Sequence, residues 1–369
     1  MKGQVKFVNR DKNLFFPTLK KRVDLYFKEN NISKYGNGTM VAKTITLLLM
    51  YILPFVLLLV FQPPFWVALL LWTLMGFGIA GVGMSVMHDG NHGAYSSNKT
   101  INYFMGNVVL NLLGASAFNW KLQHNILHHT YTNITHMDED IDDKLVLKFS
   151  PHTQVKSIHK FQWLYSFLFY GITTLYWVVA KDFIQLARYN KNGVNNESPA
   201  KKRITLFRII LLKAIYFFIV LVVPTLFFGI PFGQVLAGFL VMHFFAGVIL
   251  TVVFQLAHSV EGTSHPLPNE DGIIENDWAI HQMNTTVNFA RHNKLLSWYV
   301  GGLNFQVEHH LFPRISHIHY PAIAPIVKET AEEFGVPYLE NETFGTALKS
   351  HVQFLQRLGR LPDINEAIA

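Results

Sequence analysis

Long apolar runs separated by polar segments organise the chain. Four of these runs are long enough to cross a membrane, at about 44–61, 65–87, 204–228 and 234–257. An α-helix needs roughly 20 residues to cross the hydrocarbon core. The connections within each pair are short and contain prolines such as Pro64 and Pro231, which end helices. The pattern predicts an all-α integral membrane protein with four transmembrane helices in two hairpins.

Two further apolar stretches, 101–118 and 161–179, are interrupted by polar residues such as Asn107. These interruptions favour interfacial helices that lie in the plane of the membrane. An amphipathic helix at about 19–27 is also expected at the interface.

The polar segments predict three regions along the chain. A basic cytoplasmic arm occupies 1–43, a membrane domain with the four spans and a cytoplasmic histidine-rich cap occupies 44–320, and a cytoplasmic helical segment occupies 321–369.

Composition and charge support this architecture and orient it. Charged residues make up 15% of the chain, against about 25% in ordinary globular proteins. Lys and Arg flank the hairpins on the outside but do not occur in the two turns, so the termini and the cap are predicted to be cytoplasmic. The net charge of +7 comes with no nucleic-acid-binding motif, and we expect no nucleic-acid partner.

Histidines are concentrated beside the apolar runs. The clusters are HDGNH with His88 and His92, HNILHH with His124, His128 and His129, QVEHH with Gln306, His309 and His310, and His258 at the end of the last run. On an α-helix His124 and His128 share a face, and His129 lies about 100° further round. One turn therefore offers ligands to two metal ions side by side. The carboxylates of Asp89, Asp138 and Asp140 are expected to hydrogen-bond the ligating imidazoles.

The chain contains no cysteine, which excludes disulfides, thiolate zinc sites, iron–sulfur clusters and a cysteine nucleophile. Imidazole ligands suit iron, zinc, copper or nickel. Seven or eight imidazoles are too many for one ion, and structural zinc pairs usually employ cysteine, so a histidine-rich di-iron centre is favoured. His243 is predicted in the interior of the bundle. Eight further histidines are predicted at the surface or behind the ligands: His136, His152, His159, His265, His281, His292, His317 and His319.

The order H-x3-H, H-x3-HH, Q-x2-HH between two hairpins resembles the membrane fatty acid desaturase superfamily. Glutamine at the start of the third box, with TYTNITHMDEDID after the second and GGLNFQVEHHLFP around the third, resembles the front-end acyl desaturases and their sphingolipid relatives. The resemblance implies two iron ions, molecular oxygen, two external electrons and a cis double bond introduced into a long-chain acyl-CoA or acyl-lipid. It implies no catalytic side chain beyond the metal centre. Its implied ligands are the seven box histidines, with His258 as an additional ligand and Gln306 in a functional position.

Two alternatives stay open. The same centre would serve a hydroxylase or a sphingolipid desaturase. A membrane metal transporter is the alternative from another class, although transporters hold their ligands near the midplane on broken helices.

The chain lacks the His-Pro-Gly-Gly haem motif usual in eukaryotic front-end members. A separate electron donor, a ferredoxin or a small cytochrome, is therefore expected, and the basic face would steer an acidic donor. This feature and the lack of an ER-retrieval tail favour a bacterial inner membrane.

Overall fold

The computed structural model describes residues 5–8, 14–142 and 146–361. The predicted arm is described except for 1–4 and 9–13, and the predicted C-terminal segment is described except for 362–369. The α-helices are Phe15–Glu29, Gly38–Phe61, Phe65–Val82, His88–His92, Lys99–Tyr103, Val109–Leu112, Ala117–Trp120, His129–Tyr131, Gln162–Tyr170, Thr173–Tyr176, Asp182–Lys191, Pro199–Phe217, Val223–Phe228, Phe232–His258, Trp278–Thr285, Lys294–Tyr299, Gln306–Leu311, Tyr320–Glu333 and Phe344–Leu358. The π-helices are Gly83–Met87, Phe104–Val108, Lys121–His128, Trp177–Lys181 and Phe218–Val222, and the 3₁₀ helices are Ser157–Phe161 and His317–His319.

Within the described residues, four continuous helices are long and apolar enough to cross a membrane, which confirms the four predicted spans. They are Gly38–Phe61, Phe65–His92, Pro199–Phe228 and Phe232–His258. Large apolar side chains on these helices stay exposed, for example Phe61 at 70%, Trp66 at 75% and Leu226 at 73%. Such a surface is suited to contact with lipid. The second span continues to His92 instead of ending at Met87, because the π-helical turn Gly83–Met87 leads without a break into the first histidine box.

The two interrupted apolar stretches form bent helix pairs. Lys99–Leu112 and Ala117–Tyr131 meet at 117°, and Ser157–Tyr170 and Thr173–Lys191 meet at 61°. Gly114 lies at the first bend with a φ of +80°, a conformation that glycine adopts without strain. Their placement in the membrane plane stays a prediction.

The chain folds into two compact units, each built from separate stretches of sequence. The histidine unit consists of Met1–Tyr35, Leu122–Ser166 and Val253–Ala369. The span unit consists of Gly36–Lys121 and Phe167–Val252. The division at residues 43 and 320 stays a prediction.

The core of the histidine unit contains the apolar face of helix Phe15–Glu29. Leu19, Val23 and Phe27 are buried there beside helix Tyr320–Glu333. The amphipathic helix predicted at 19–27 is present, but its placement at the membrane interface is wrong, because its apolar face is covered by protein. The described part of this unit also contains two parallel strand pairs: Lys6–Phe7 with Ile273–Ile274, and Asn288–Phe289 with Glu340–Asn341.

Candidate metal centre

The first histidine box lies in the span unit. The rings of His88 and His92 are one helical turn apart, with centroids separated by 4.7 Å, and Trp120 packs edge-on against them at 5.7 and 5.8 Å. Asp89 between them is buried. A Cβ on Gly90 would come within 2.5 Å of the backbone nitrogen of Gly106, so glycine is required for this close helix contact.

The second box is π-helical, and this brings together a pair of imidazoles that the α-helical period did not predict. In the π-helix Lys121–His128 the hydrogen bonds run from i to i+5, so residues five apart come to one face. His124 and His129 therefore meet, with their Nε2 atoms 3.2 Å apart. His128 shares a face with His124, as predicted: their rings are stacked with centroids 5.3 Å apart. His128 also packs against His258 and His310.

His128, His258 and His310 form a buried group within the histidine unit. Their ring centroids are 4.8 to 5.0 Å apart, and one ligand atom from each lies within 4.8 Å of the others. Asp138 lies 3.1 Å and Asp140 3.3 Å from His128 Nδ1, the contacts expected of these carboxylates. Burial lowers the pKa of His128, but the two carboxylates outweigh it and raise that pKa to about 9. The buried site thus stabilises positive charge.

Each Nδ1 atom of this group has an acceptor. His128 Nδ1 contacts Asp138, His258 Nδ1 lies 3.2 Å from the carbonyl oxygen of Thr285, and His310 Nδ1 lies 2.8 Å from Oε1 of Gln282. A proton on Nδ1 leaves the Nε2 lone pair for a metal ion. The Nε2 atoms of His128 and His258 are buried and make no hydrogen bond within the described part of the chain. The three imidazoles therefore fit a metal ion bound through Nε2.

His309 joins the other two imidazoles of the second box. Its ring centroid is 4.6 Å from that of His129 and 5.8 Å from that of His124, and its Nδ1 lies 3.2 Å from the Tyr320 hydroxyl. Gln306 is buried at the start of the same helix. The second and third boxes thus supply two sets of imidazoles inside one unit.

Glu308, inside the third box, is fully buried and bonded to other side chains. Its carboxylate accepts hydrogen bonds from the Tyr338 hydroxyl at 2.8 Å and from Asn288 Nδ2 at 2.9 Å. Burial raises the pKa of Glu308. These bonds fix helix Gln306–Leu311, which carries the third-box ligands.

Sequence reasoning missed helix Trp278–Thr285, whose polar groups contact the boxes. Trp278 Nε1 donates to the carbonyl oxygen of His129 at 3.0 Å, and His281 Nε2 lies 2.9 Å from that of Thr132. Burial lowers the pKa of His281 to about 4. Of the two placements predicted for His281, the structure gives the one behind the ligands. No motif marks these residues, although Trp278 and Gln282 are one helical turn apart.

Asn133, also missed, ties three segments together behind the centre. Its Nδ2 group lies 3.0 Å from the carbonyl oxygen of His258, 3.3 Å from that of Ser264 and 3.4 Å from that of Thr285. Its own N–H donates to Asp138. The φ of +58° is one that asparagine tolerates better than most residues.

The other histidines are divided between interior and surface. His243 is buried in the span unit, as predicted, with Nε2 2.9 Å from the Tyr216 hydroxyl. His159 and His317 are buried, whereas His136 and His292 are exposed.

The chain is similar to known proteins over most of its length. A family model described as fatty acid desaturase matches residues 64–341. An sn-1 linoleoyl-lipid 6-desaturase of Arthrospira platensis is 36% identical over 350 residues, which cover 95% of this chain and 94% of that protein. A Synechocystis protein of the same name is 36% identical over 97% of this chain and 98% of its own length. An acyl-lipid (8-3)-desaturase of Physcomitrium patens is 34% identical over 97% of this chain and 74% of its own length.

Proposed function

The chain belongs to the fatty acid desaturase family, a family of oxidoreductases, and on that premise we propose that it introduces a cis double bond into a long-chain acyl group of a membrane lipid. The acyl-lipid form of the substrate is favoured over acyl-CoA by the names of the relatives. The observation that carries the proposal is the buried group of His128, His258 and His310, with an acceptor at each Nδ1.

We assign two iron ions to the centre. The proposed ligands of one ion are His128, His258 and His310. The proposed ligands of the other ion are His124, His129 and His309, together with Gln306. His88 and His92 enter this proposal through the family motif alone. Iron, when bound, supplies the one-electron chemistry that reduces molecular oxygen to two water molecules with two electrons from the acyl chain and two from an external donor.

The residues around the centre would orient the ligating imidazoles and exclude water from the site. Asp138, Gln282 and the carbonyl of Thr285 hold three imidazoles in one tautomer, so that each presents Nε2. Burial excludes water from the reacting groups, which limits side reactions. No side chain is required as a nucleophile. The electron donor is proposed to be a separate ferredoxin or small cytochrome.

Product mass tests the proposal. Membranes that contain the protein, a one-electron donor and acyl lipids should yield an acyl product two mass units lighter, and His310→Ala should abolish it with unchanged protein in the membrane. The exposed His292→Ala is the matched control and should retain activity. A product heavier by one oxygen would make the chain a hydroxylase, and activity of His310→Ala equal to wild type would contradict the proposed centre.

A further inference from the structure

Gln282 connects the second and third histidine boxes through its side-chain amide. Its Oε1 lies 2.8 Å from His310 Nδ1 and 2.9 Å from the Thr132 hydroxyl, and its Nε2 lies 3.3 Å from the carbonyl oxygen of His129. The residue is 1% exposed. Both ends of the amide therefore have partners in segments that carry candidate ligands.

These contacts fix which way the amide points. The carbonyl oxygen of His129 can only accept a hydrogen bond, so the NH₂ end of Gln282 must face it. The amide oxygen then faces His310, and since that oxygen can only accept, His310 Nδ1 must donate. The proton of His310 thus lies on Nδ1, and Nε2 keeps its lone pair.

We propose that Gln282 is a positioning residue that sets the tautomer and ring orientation of His310 for metal binding, and that its neutrality tunes the reduction potential of the ion held there. The inference rests on the proposed function, since it needs an iron ion in the His128, His258 and His310 group. It assigns a role to a residue outside the three boxes.

The neutrality of Gln282 matters because the three imidazoles have three different acceptors. His128 contacts a carboxylate, His258 a backbone carbonyl and His310 a side-chain amide. A carboxylate acceptor raises the basicity of a ligating imidazole. A stronger donor favours the more oxidised metal ion. With an amide at 282, the ion is easier to reduce than it would be with a carboxylate there.

Two substitutions separate this role from simple packing. Gln282→Met keeps the length of the side chain and removes its hydrogen bonds to His310, Thr132 and the carbonyl oxygen of His129. Gln282→Glu keeps an oxygen that accepts from His310 and from the Thr132 hydroxyl, but it places a second oxygen against the carbonyl of His129. It therefore preserves the contact that the proposal requires and removes the one to His129. Gln353→Met, at an exposed position of helix Phe344–Leu358, is the matched control.

The measurement is iron bound per purified chain, its loss to a chelator, and the midpoint potential of the bound iron. Gln282→Met should bind iron about 10- to 100-fold more weakly than wild type. Gln282→Glu should bind iron far better than Gln282→Met and show a lower midpoint potential, and Gln353→Met should match wild type.

Iron binding by Gln282→Met equal to wild type would overturn the proposal. Equal losses of iron binding in Gln282→Met and Gln282→Glu would also overturn it, since the side chain would then act only through its contact with the main chain of His129. A midpoint potential of Gln282→Glu equal to that of wild type would overturn the proposed effect of Gln282 on the reduction potential. Absence of iron from the wild-type protein would instead overturn the proposed function, and the inference with it.

Discussion

At the scale of single residues, buried imidazoles in the histidine unit have two functions. His128, His258 and His310 each have an acceptor at Nδ1 and converge on one another. His351 is equally buried but serves packing: it lies on helix Phe344–Leu358, with Nδ1 2.6 Å from the carbonyl oxygen of Ser259. Because that carbonyl can only accept, His351 donates from Nδ1.

His351 should make stability depend on pH. Burial lowers its pKa from 6.5 to about 4 in the folded protein. Between these values the unfolded chain takes up a proton that the folded chain does not, so the stabilisation is complete above about pH 6.5 and is lost as pH falls toward about 4. His351→Gln keeps an N–H donor without a titrating group.

The thermal midpoint of the detergent-purified protein, measured at neutral and mildly acidic pH, checks this. The midpoint of wild type should fall more on acidification than that of His351→Gln. The exposed His292→Gln should behave like wild type. Equal falls in wild type and His351→Gln would show that His351 makes no pH-dependent contribution.

At the scale of secondary-structure elements, a buried ion pair joins the bent helix pairs to the third span. Lys213 Nζ lies 2.8 Å from Asp182 Oδ2 and also donates to the carbonyl oxygens of Gly114 and Trp177 at 3.1 Å. Asp182 in turn accepts from the backbone N–H of Ser116. These contacts satisfy both charges inside the span unit.

Removal of one partner should destabilise the protein strongly. Lys213→Met leaves the Asp182 carboxylate buried without its counter-ion, at a cost of about 3–5 kcal/mol. The double variant Lys213→Met/Asp182→Asn should recover most of the loss, because no buried charge is left. Thermal unfolding in detergent measures both, with the exposed Lys201→Met as control. A single variant as stable as wild type would contradict the account.

The elements also show how far the sequence could predict the structure. The four spans and the three boxes could be predicted because the length of an apolar run and the spacing of histidines are local signals. The sequence did not predict that His124 and His129 meet, because an α-helical period was assumed. A π-helix brings residues five apart to one face. The contacts of Gln282 join segments about 150 and 28 residues apart along the chain, and no local pattern reports them.

At the scale of the whole molecule, the distribution of Lys and Arg predicts that both termini and the histidine boxes are cytoplasmic, and this orientation stays a prediction. The chain has no cysteine, so single introduced cysteines report orientation without background.

Membrane-impermeant thiol labelling tests the orientation. Pro64→Cys and Pro231→Cys, in the exposed turns of the two hairpins, should react from the outside of intact cells. Lys201→Cys and Lys349→Cys, also exposed, should react only after the cells are opened. The reverse pattern would place the histidine unit outside and show that the predicted orientation is wrong.

The proposed function requires that the histidines of this family member hold iron. Metal content of the detergent-purified protein tests it without a known donor or substrate, beside a His128→Ala/His310→Ala double variant and a His292→Ala control. We expect about two iron ions per chain in wild type and control, and a large loss in the double variant. Zinc alone, or iron that is unaffected by the loss of both histidines, would contradict it.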